Sequence, residues 1–92
     1  MNHVSAHLVI SGKVQGVFFR ATARKIAERY NLTGWVKNLA NGNVEAIVSG
    51  NKHDIEKFIE WCKQGPEKGE VQSVDISYIE QKIFKDFTVK RD

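Results

Sequence analysis

The chain's 92 residues are 41% hydrophobic and 27% charged, a balance that fits one domain with a single modest core, here expected to span residues 1–92. Its net charge of +3 favours anionic partners mildly, and the basic residues are spread along the chain, with no block of the kind that marks nucleic-acid binding. No apolar run is long enough to span a membrane, the N-terminus lacks a signal-peptide core, and the lone Cys62 excludes an internal disulfide and a cysteine-clustered zinc site, so a cytoplasmic protein is expected.

Val4, Ala6, Leu8 and Ile10 alternate with Ser5, His7 and Ser11, the period-two pattern of a half-buried strand. The stretch Gly12-Lys13-Val14-Gln15-Gly16-Val17-Phe18-Phe19-Arg20 follows and leads straight into a helical pattern. A chain leaving a strand and entering a helix gathers backbone N–H groups at the helix N-terminus, where the dipole favours an anion. Gly12 and Gly16 can adopt the positive φ that a concave nest of N–H groups requires. Arg20 adds a planar fork suited to two oxygens of one phosphate, so the loop reads as an oxyanion cradle. Val14, Val17, Phe18 and Phe19 are too apolar for a wholly solvated loop; some must anchor it in the core while others line the site. From these residues alone, a tight strand-to-helix connection with Arg20 paired to a surface carboxylate is an equal alternative.

Ala23, Ile26, Ala27 and Tyr30 recur at helical spacing, with Asn31 as the stop, and Thr33 to Leu39 reads as a second strand. Asn41-Gly42 predicts a tight type I′ hairpin turn into a strand from Asn43 to Ser49, which Gly50 breaks. Asn51 can cap a second helix with Asp54 in its first turn, an apolar face of Ile55, Phe58, Ile59 and Cys62, and Gly65-Pro66 as its end. Val71 to Ile79 supplies a fourth strand and Phe84 to Lys90 a short last one. The order βαββαβ calls for both helices on one face of an antiparallel sheet of four or five strands, an α+β sandwich of the ferredoxin-like type.

The run Val14-Gln15-Gly16-Val17 with Phe19-Arg20, followed by Gly34-Trp35-Val36-Lys37-Asn38, closely resembles the acylphosphatase family. Asn41-Gly42-Asn43-Val44-Glu45 and Trp61-Cys62-Lys63-Gln64-Gly65-Pro66 extend the resemblance, which runs from about Leu8 to Val74. Gly69 departs from it, since alanine is common there in the family. The resemblance implies a metal- and cofactor-independent hydrolase in which the loop Gln15, Gly16, Val17, Phe18, Phe19 and Arg20 binds the phosphoryl group. It also implies that Asn38 orients the attacking water; spacing alone would make Asn38 a polar residue that begins the turn. Asparagine cannot act as a base near neutral pH, but its amide can both accept from and donate to a water.

Other candidates fall away. The serines lack a nucleophile-elbow context, and His3, His7 and His53 lack metal-ligand spacing. Cys62 lies in an apolar helical series and reads as a buried, inert thiol, while Trp35 and Trp61 read as packing residues. An anion cradle with a water-orienting amide and no nucleophile, base or metal suits a substrate that is already activated. The expected function is hydrolysis of acyl phosphates by direct in-line attack of water, with inorganic phosphate as product and inhibitor. A monomer acting on small molecules, with no nucleic-acid or membrane partner, is expected. Two rivals are an RNA-binding module, disfavoured by the aromatic-free and acidic strand Asn43 to Val48, and a carbamoyl-phosphate-handling domain of a larger protein.

Overall fold

The computed structural model describes residues 3–91. The chain runs β1 (His3–Lys13), α1 (Phe19–Arg29), β2 (Thr33–Asn38), β3 (Val44–Asn51), α2 (Lys52–Gln64), β4 (Glu70–Ile79) and β5 (Phe87–Val89). The strands form one five-stranded sheet in the order β4-β1-β3-β2-β5. The expected ferredoxin-like architecture is present, with one departure from a wholly antiparallel sheet. The three pairings among β1 to β4 are antiparallel, whereas β5 lies parallel to β2. The reason is directional: β4 runs opposite to β2, and the chain reverses after β4 before reaching the far edge.

On its way across, the segment between β4 and β5 bonds to one of two buried serines that also pair with each other. Lys82 donates its backbone N–H to Ser5 Oγ at 2.8 Å, and the buried hydroxyls of Ser5 and Ser49 bond to each other at 2.6 Å. This crossing lies at the β1 N-terminal end, remote from the loop that follows β1.

The core forms between the helices and one sheet face. Ala6, Leu8 and Ile10 of β1, Val36 of β2, and Val44, Ala46 and Val48 of β3 meet Ala23 and Ala27 of α1 and Ile55, Phe58 and Cys62 of α2, all of them buried. Each large apolar side chain fully buried in this way contributes roughly 1.5–3 kcal/mol. Trp61 packs 5.1 Å from Phe19 and 6.3 Å from Phe58, which joins the two helices through aromatic contacts.

Helix ends follow their sequence signals. Asn31 adopts a left-handed φ of 57°, and the bonds Leu32 N–H to Ala27 O and Asn31 N–H to Glu28 O close α1 in a Schellman motif. Asn51 caps α2 through its side chain, which accepts from His53 N–H. Two local expectations are corrected. Gly50 does not break β3, but pairs with Val4 and carries the strand on to Asn51. The β2–β3 turn is not type I′, which needs positive φ at both central residues: Gly42 has φ 96° and Asn41 does not share it. Instead Gly42 N–H bonds to Leu39 O while Asn41 Oδ1 accepts from Asn43 N–H, giving a longer loop.

Gly12 and Gly16 both have positive φ, 122° and 73°, for different reasons. Gly12 lies where the β1–β4 register shifts, and a Cβ there would strike Glu70 O and come within 2.7 Å of Gln72 N. Around Gly16 the space is open. Gly12→Ala should therefore cost about 2–5 kcal/mol, combining overpacking with left-handed strain. Gly16→Ala should cost only about 1–2 kcal/mol, from strain alone. Urea unfolding of the two variants checks the contrast, and equal losses would refute it.

Candidate active site

β1 and β2 point the same way because each is antiparallel to the β3 strand between them. The loop after β1 and the end of β2 therefore emerge at one end of the sheet, and α1 begins there too. Within the loop, Val14 and Val17 are buried, as is Phe19 at the helix start, while Gly16 and Phe18 face outward. The apolar residues thus divide into anchors and rim. Gly16 and Phe18 have positive φ and Val17 between them does not, an alternation that turns successive N–H groups toward one side.

Phe18 is the N-cap residue of α1 at φ 63°, ψ 26°, and no side chain caps the helix. Its first turn contains no acidic residue. Thr22 N–H makes the first helical bond, to Phe18 O, so the N–H groups of Phe19, Arg20 and Ala21 have no carbonyl within the helix. Arg20 increases the positive potential. Its Nη1 donates to the carbonyl of Lys90, just past β5, at 2.9 Å, and among the described residues no carboxylate lies within 4.0 Å of it. A neutral carbonyl orients the guanidinium without cancelling its charge.

A cavity of about 620 Å³ opens at this end and is lined by Gly16, Phe18, Phe19, Arg20 and Asn38, among others. The structure thus brings together Arg20 and Asn38, which are far apart in sequence. Asn38 is the last residue of β2, half-buried and paired with Val44, and its amide is engaged by no other described residue. Gln15 and Val17 belong to the same loop, but their side chains point elsewhere. Val17 enters the core, and Gln15 Nε2 donates to the carbonyls of Leu39 and Asn43, each at 2.8 Å.

Arg24, Lys25, Glu28 and Arg91 also line the cavity, and sequence reasoning had not placed them there. Arg24 lies one helical turn beyond Arg20, so its presence was readable from helical spacing. Its ion pair with Glu28, at 3.1 Å, is more than half exposed and adds little stability. Arg91 gave no such signal, because its position depends on β5 pairing with β2.

The residues set aside in the sequence lie elsewhere. Burial pushes the Cys62 thiol far above the usual range, which suppresses the nucleophilic thiolate. His7 meets Glu45 at 2.7 Å and Lys37 meets it at 3.6 Å on the open sheet face, where β3 displays Glu45 and Ile47. That face of β3 offers no ring for base stacking. Trp35 lies under the ammonium groups of Lys90 and Lys37, at 4.4 and 5.4 Å. Among the described residues, no three His, Cys, Asp or Glu side chains gather as metal ligands.

The acylphosphatase family profile matches residues 6–89. The chain belongs to the acylphosphatase family. It is 46% identical to an acylphosphatase of Pyrobaculum islandicum over 97% of this chain and 96% of that protein. The solved structure of an acylphosphatase from Coxiella burnetii superposes with a TM-score of 0.94 at 44% identity, covering 97% of this chain and 94% of that one. A similar domain occurs within a much longer chain, full-length HypF, with a TM-score of 0.87, 31% identity, and coverage of 98% of this chain but 12% of that one. Hydrolysis of acyl phosphates is the function of the acylphosphatase family.

Phe18 holds a left-handed conformation at about 1–2 kcal/mol while its ring stays 77% exposed. Phe18→Gly relieves that strain and forfeits little burial. Its expected effect is a gain of about 1 kcal/mol, or roughly 4–8 °C in melting temperature for a domain of this size. Thermal unfolding followed by circular dichroism measures it; a lower melting temperature would show that the ring packs more than its exposure implies.

Proposed function

We propose that the chain hydrolyses acyl phosphates by direct in-line attack of water on phosphorus, with Arg20 and the loop Gln15 to Arg20 binding the phosphoryl group and Asn38 holding the water. One observation carries this reading: the uncapped N-terminus of α1, Arg20 and Asn38 converge on a single cavity. The phosphoryl oxygens accept from the loop and helix N–H groups and from the guanidinium donors that Lys90 O leaves unused. These donors are in place before substrate arrives, so charge developing in the transition state is met without reorganisation.

An acyl phosphate is a mixed anhydride whose leaving group is a carboxylate, so strong nucleophilic activation is not required. The Asn38 carbonyl oxygen accepts a hydrogen bond from one water O–H and its NH₂ can donate to the water oxygen, which aims a lone pair at phosphorus. As the new P–O bond forms, the bond to the acyl oxygen breaks and its electron pair leaves on the carboxylate. The water's proton passes to a phosphoryl oxygen, giving carboxylate and inorganic phosphate. No step in this sequence calls for a metal, a cofactor or a phosphoenzyme. Inorganic phosphate fits the same donors and inhibits competitively. The reading is that of a single domain over residues 1–92, acting as a cytoplasmic monomer on small molecules.

Arg20→Ala should lower turnover of benzoyl phosphate by roughly 10³–10⁵, the scale for losing an arginine that stabilises a transferring phosphoryl group. Arg20→Lys should remain poor, because a point charge does not reproduce the planar fork. A folded Arg20→Ala enzyme within about tenfold of wild type would overturn the assignment, given that scale.

Asn38→Ala should lower kcat by roughly 10²–10³, as for loss of one preorganised polar group, while inhibition by inorganic phosphate stays nearly unchanged. Steady-state kinetics with phosphate as inhibitor separates the two effects. If kcat survived and phosphate affinity collapsed, Asn38 would be a phosphate ligand and not a water ligand.

A further inference from the structure

Gln15 lies inside the proposed phosphoryl cradle, yet its side chain reaches across the end of β3 to the β2–β3 hairpin. Both protons of its amide are spent there: Nε2 donates to Leu39 O and to Asn43 O, each at 2.8 Å. These carbonyls flank the Asn38–Val44 pair, which is the last of the β2–β3 ladder. Each already accepts a hairpin bond, Leu39 O from Gly42 N–H and Asn43 O from Leu39 N–H. Gln15 therefore occupies the remaining lone pair on both and fixes the base of the hairpin to the loop.

The need for such a tie follows from topology. β3 separates β1 from β2, so the cradle and Asn38 grow from strands about 10 Å apart at the usual strand spacing. The hairpin tip, Ala40 to Gly42, is exposed, and no secondary-structure pairing joins it to the cradle loop. In-line attack demands a set distance and direction between the phosphoryl group on one side and the water on the other. We infer that Gln15 is a positioning residue for hydrolysis: its amide fixes the end of β2 carrying Asn38 at the attacking distance from the phosphoryl cradle. This inference rests on the proposed role of Asn38.

A merely structural glutamine would also stabilise the fold, so loss of stability cannot identify a positioning role. The decisive property is that Gln15 acts through Asn38. The test is a double-mutant cycle with benzoyl phosphate as substrate, using Gln15→Met, which keeps the length and removes the donors, and Asn38→Ala, singly and together. Phosphate inhibition constants and far-UV circular dichroism are measured on each enzyme. Gln15→Met should lower kcat roughly 10- to 100-fold, since a misplacement near 1 Å can cost 10²-fold, with phosphate inhibition little changed. In the Asn38→Ala background the same change should cost less than about threefold, because coupled residues are non-additive. Equal losses in the two backgrounds overturn the inference, and so does a loss confined to phosphate affinity. Full activity in Asn38→Ala overturns instead the reading of Asn38 on which it rests. Should Gln15→Met fail to fold, Gln15→Glu replaces it. Its carboxylate cannot donate to the two carbonyls but regains a donor on protonation, so its kcat relative to wild type should rise as pH falls. A flat ratio overturns the inference.

Discussion

Everything at the site depends on β3 lying between β1 and β2. The β1–α1–β2 crossover would bring the same two strand ends together if those strands were neighbours, but at about 4.8 Å separation there is no room for a phosphoryl group and a water between them. Inserting β3 doubles the gap while keeping β1 and β2 pointing the same way. The insertion is secured by burial, because Val44, Ala46 and Val48 of β3 meet the same helices as Ala6, Leu8 and Ile10 of β1. Packing energy thus sets the span across which the proposed chemistry is arranged.

The two helix N-termini are treated in opposite ways. α2 has a capping asparagine and Asp54 in its first turn, which complement its N–H groups and its dipole. α1 has a phenylalanine at the cap, no acid in the first turn, and an arginine instead. A missing cap costs about 1 kcal/mol, and a cation in place of an anion near the N-terminus adds a few tenths to 1 kcal/mol. In the proposed reading a bound phosphoryl group offsets both deficits, accepting from the unsatisfied N–H groups and supplying the missing negative charge. The helix that breaks the local rules is the one that opens onto the cavity, and the one that obeys them is scaffold.

Much of this was legible in the sequence because it rests on short-range rules. The alternation of Val4 to Ser11 gave β1, the apolar face Ile55, Phe58, Ile59 and Cys62 gave α2, and Asn31 gave the end of α1. Arg20 was visible as a cation where a cation is unfavourable. Asn38 was not visible from spacing, since a polar residue before a turn is ordinary; only the family resemblance singled it out. The parallel β2–β5 pair escaped because it depends on how the chain crosses between sheet edges, which no local pattern records. The same holds for Arg91 at the cavity and for the Gln15 bonds to Leu39 and Asn43. The turn at Gly42 was misread because Asn-Gly permits a type I′ turn without requiring one, and Asn41 bonds its own backbone instead.

Two long side chains that start from the loop region, Arg20 and Gln15, are both held by backbone carbonyls. For Gln15 this makes the tie insensitive to the identity of Leu39 or Asn43 and dependent only on the hairpin path. For Arg20 the choice of acceptor has an electrostatic consequence. A carboxylate at 4 Å would attract the guanidinium by about 4 kcal/mol at an effective dielectric of 20, and would cancel much of the field that an arriving phosphoryl group needs. The Lys90 carbonyl constrains one nitrogen and leaves the unit charge uncompensated by that contact. Orientation comes from the chain just past the edge strand β5, and on the proposed reading the charge is left for the substrate. That division accounts for why a short strand at the sheet edge, which buries little beyond Phe87, helps to build the end of the fold where the cavity opens.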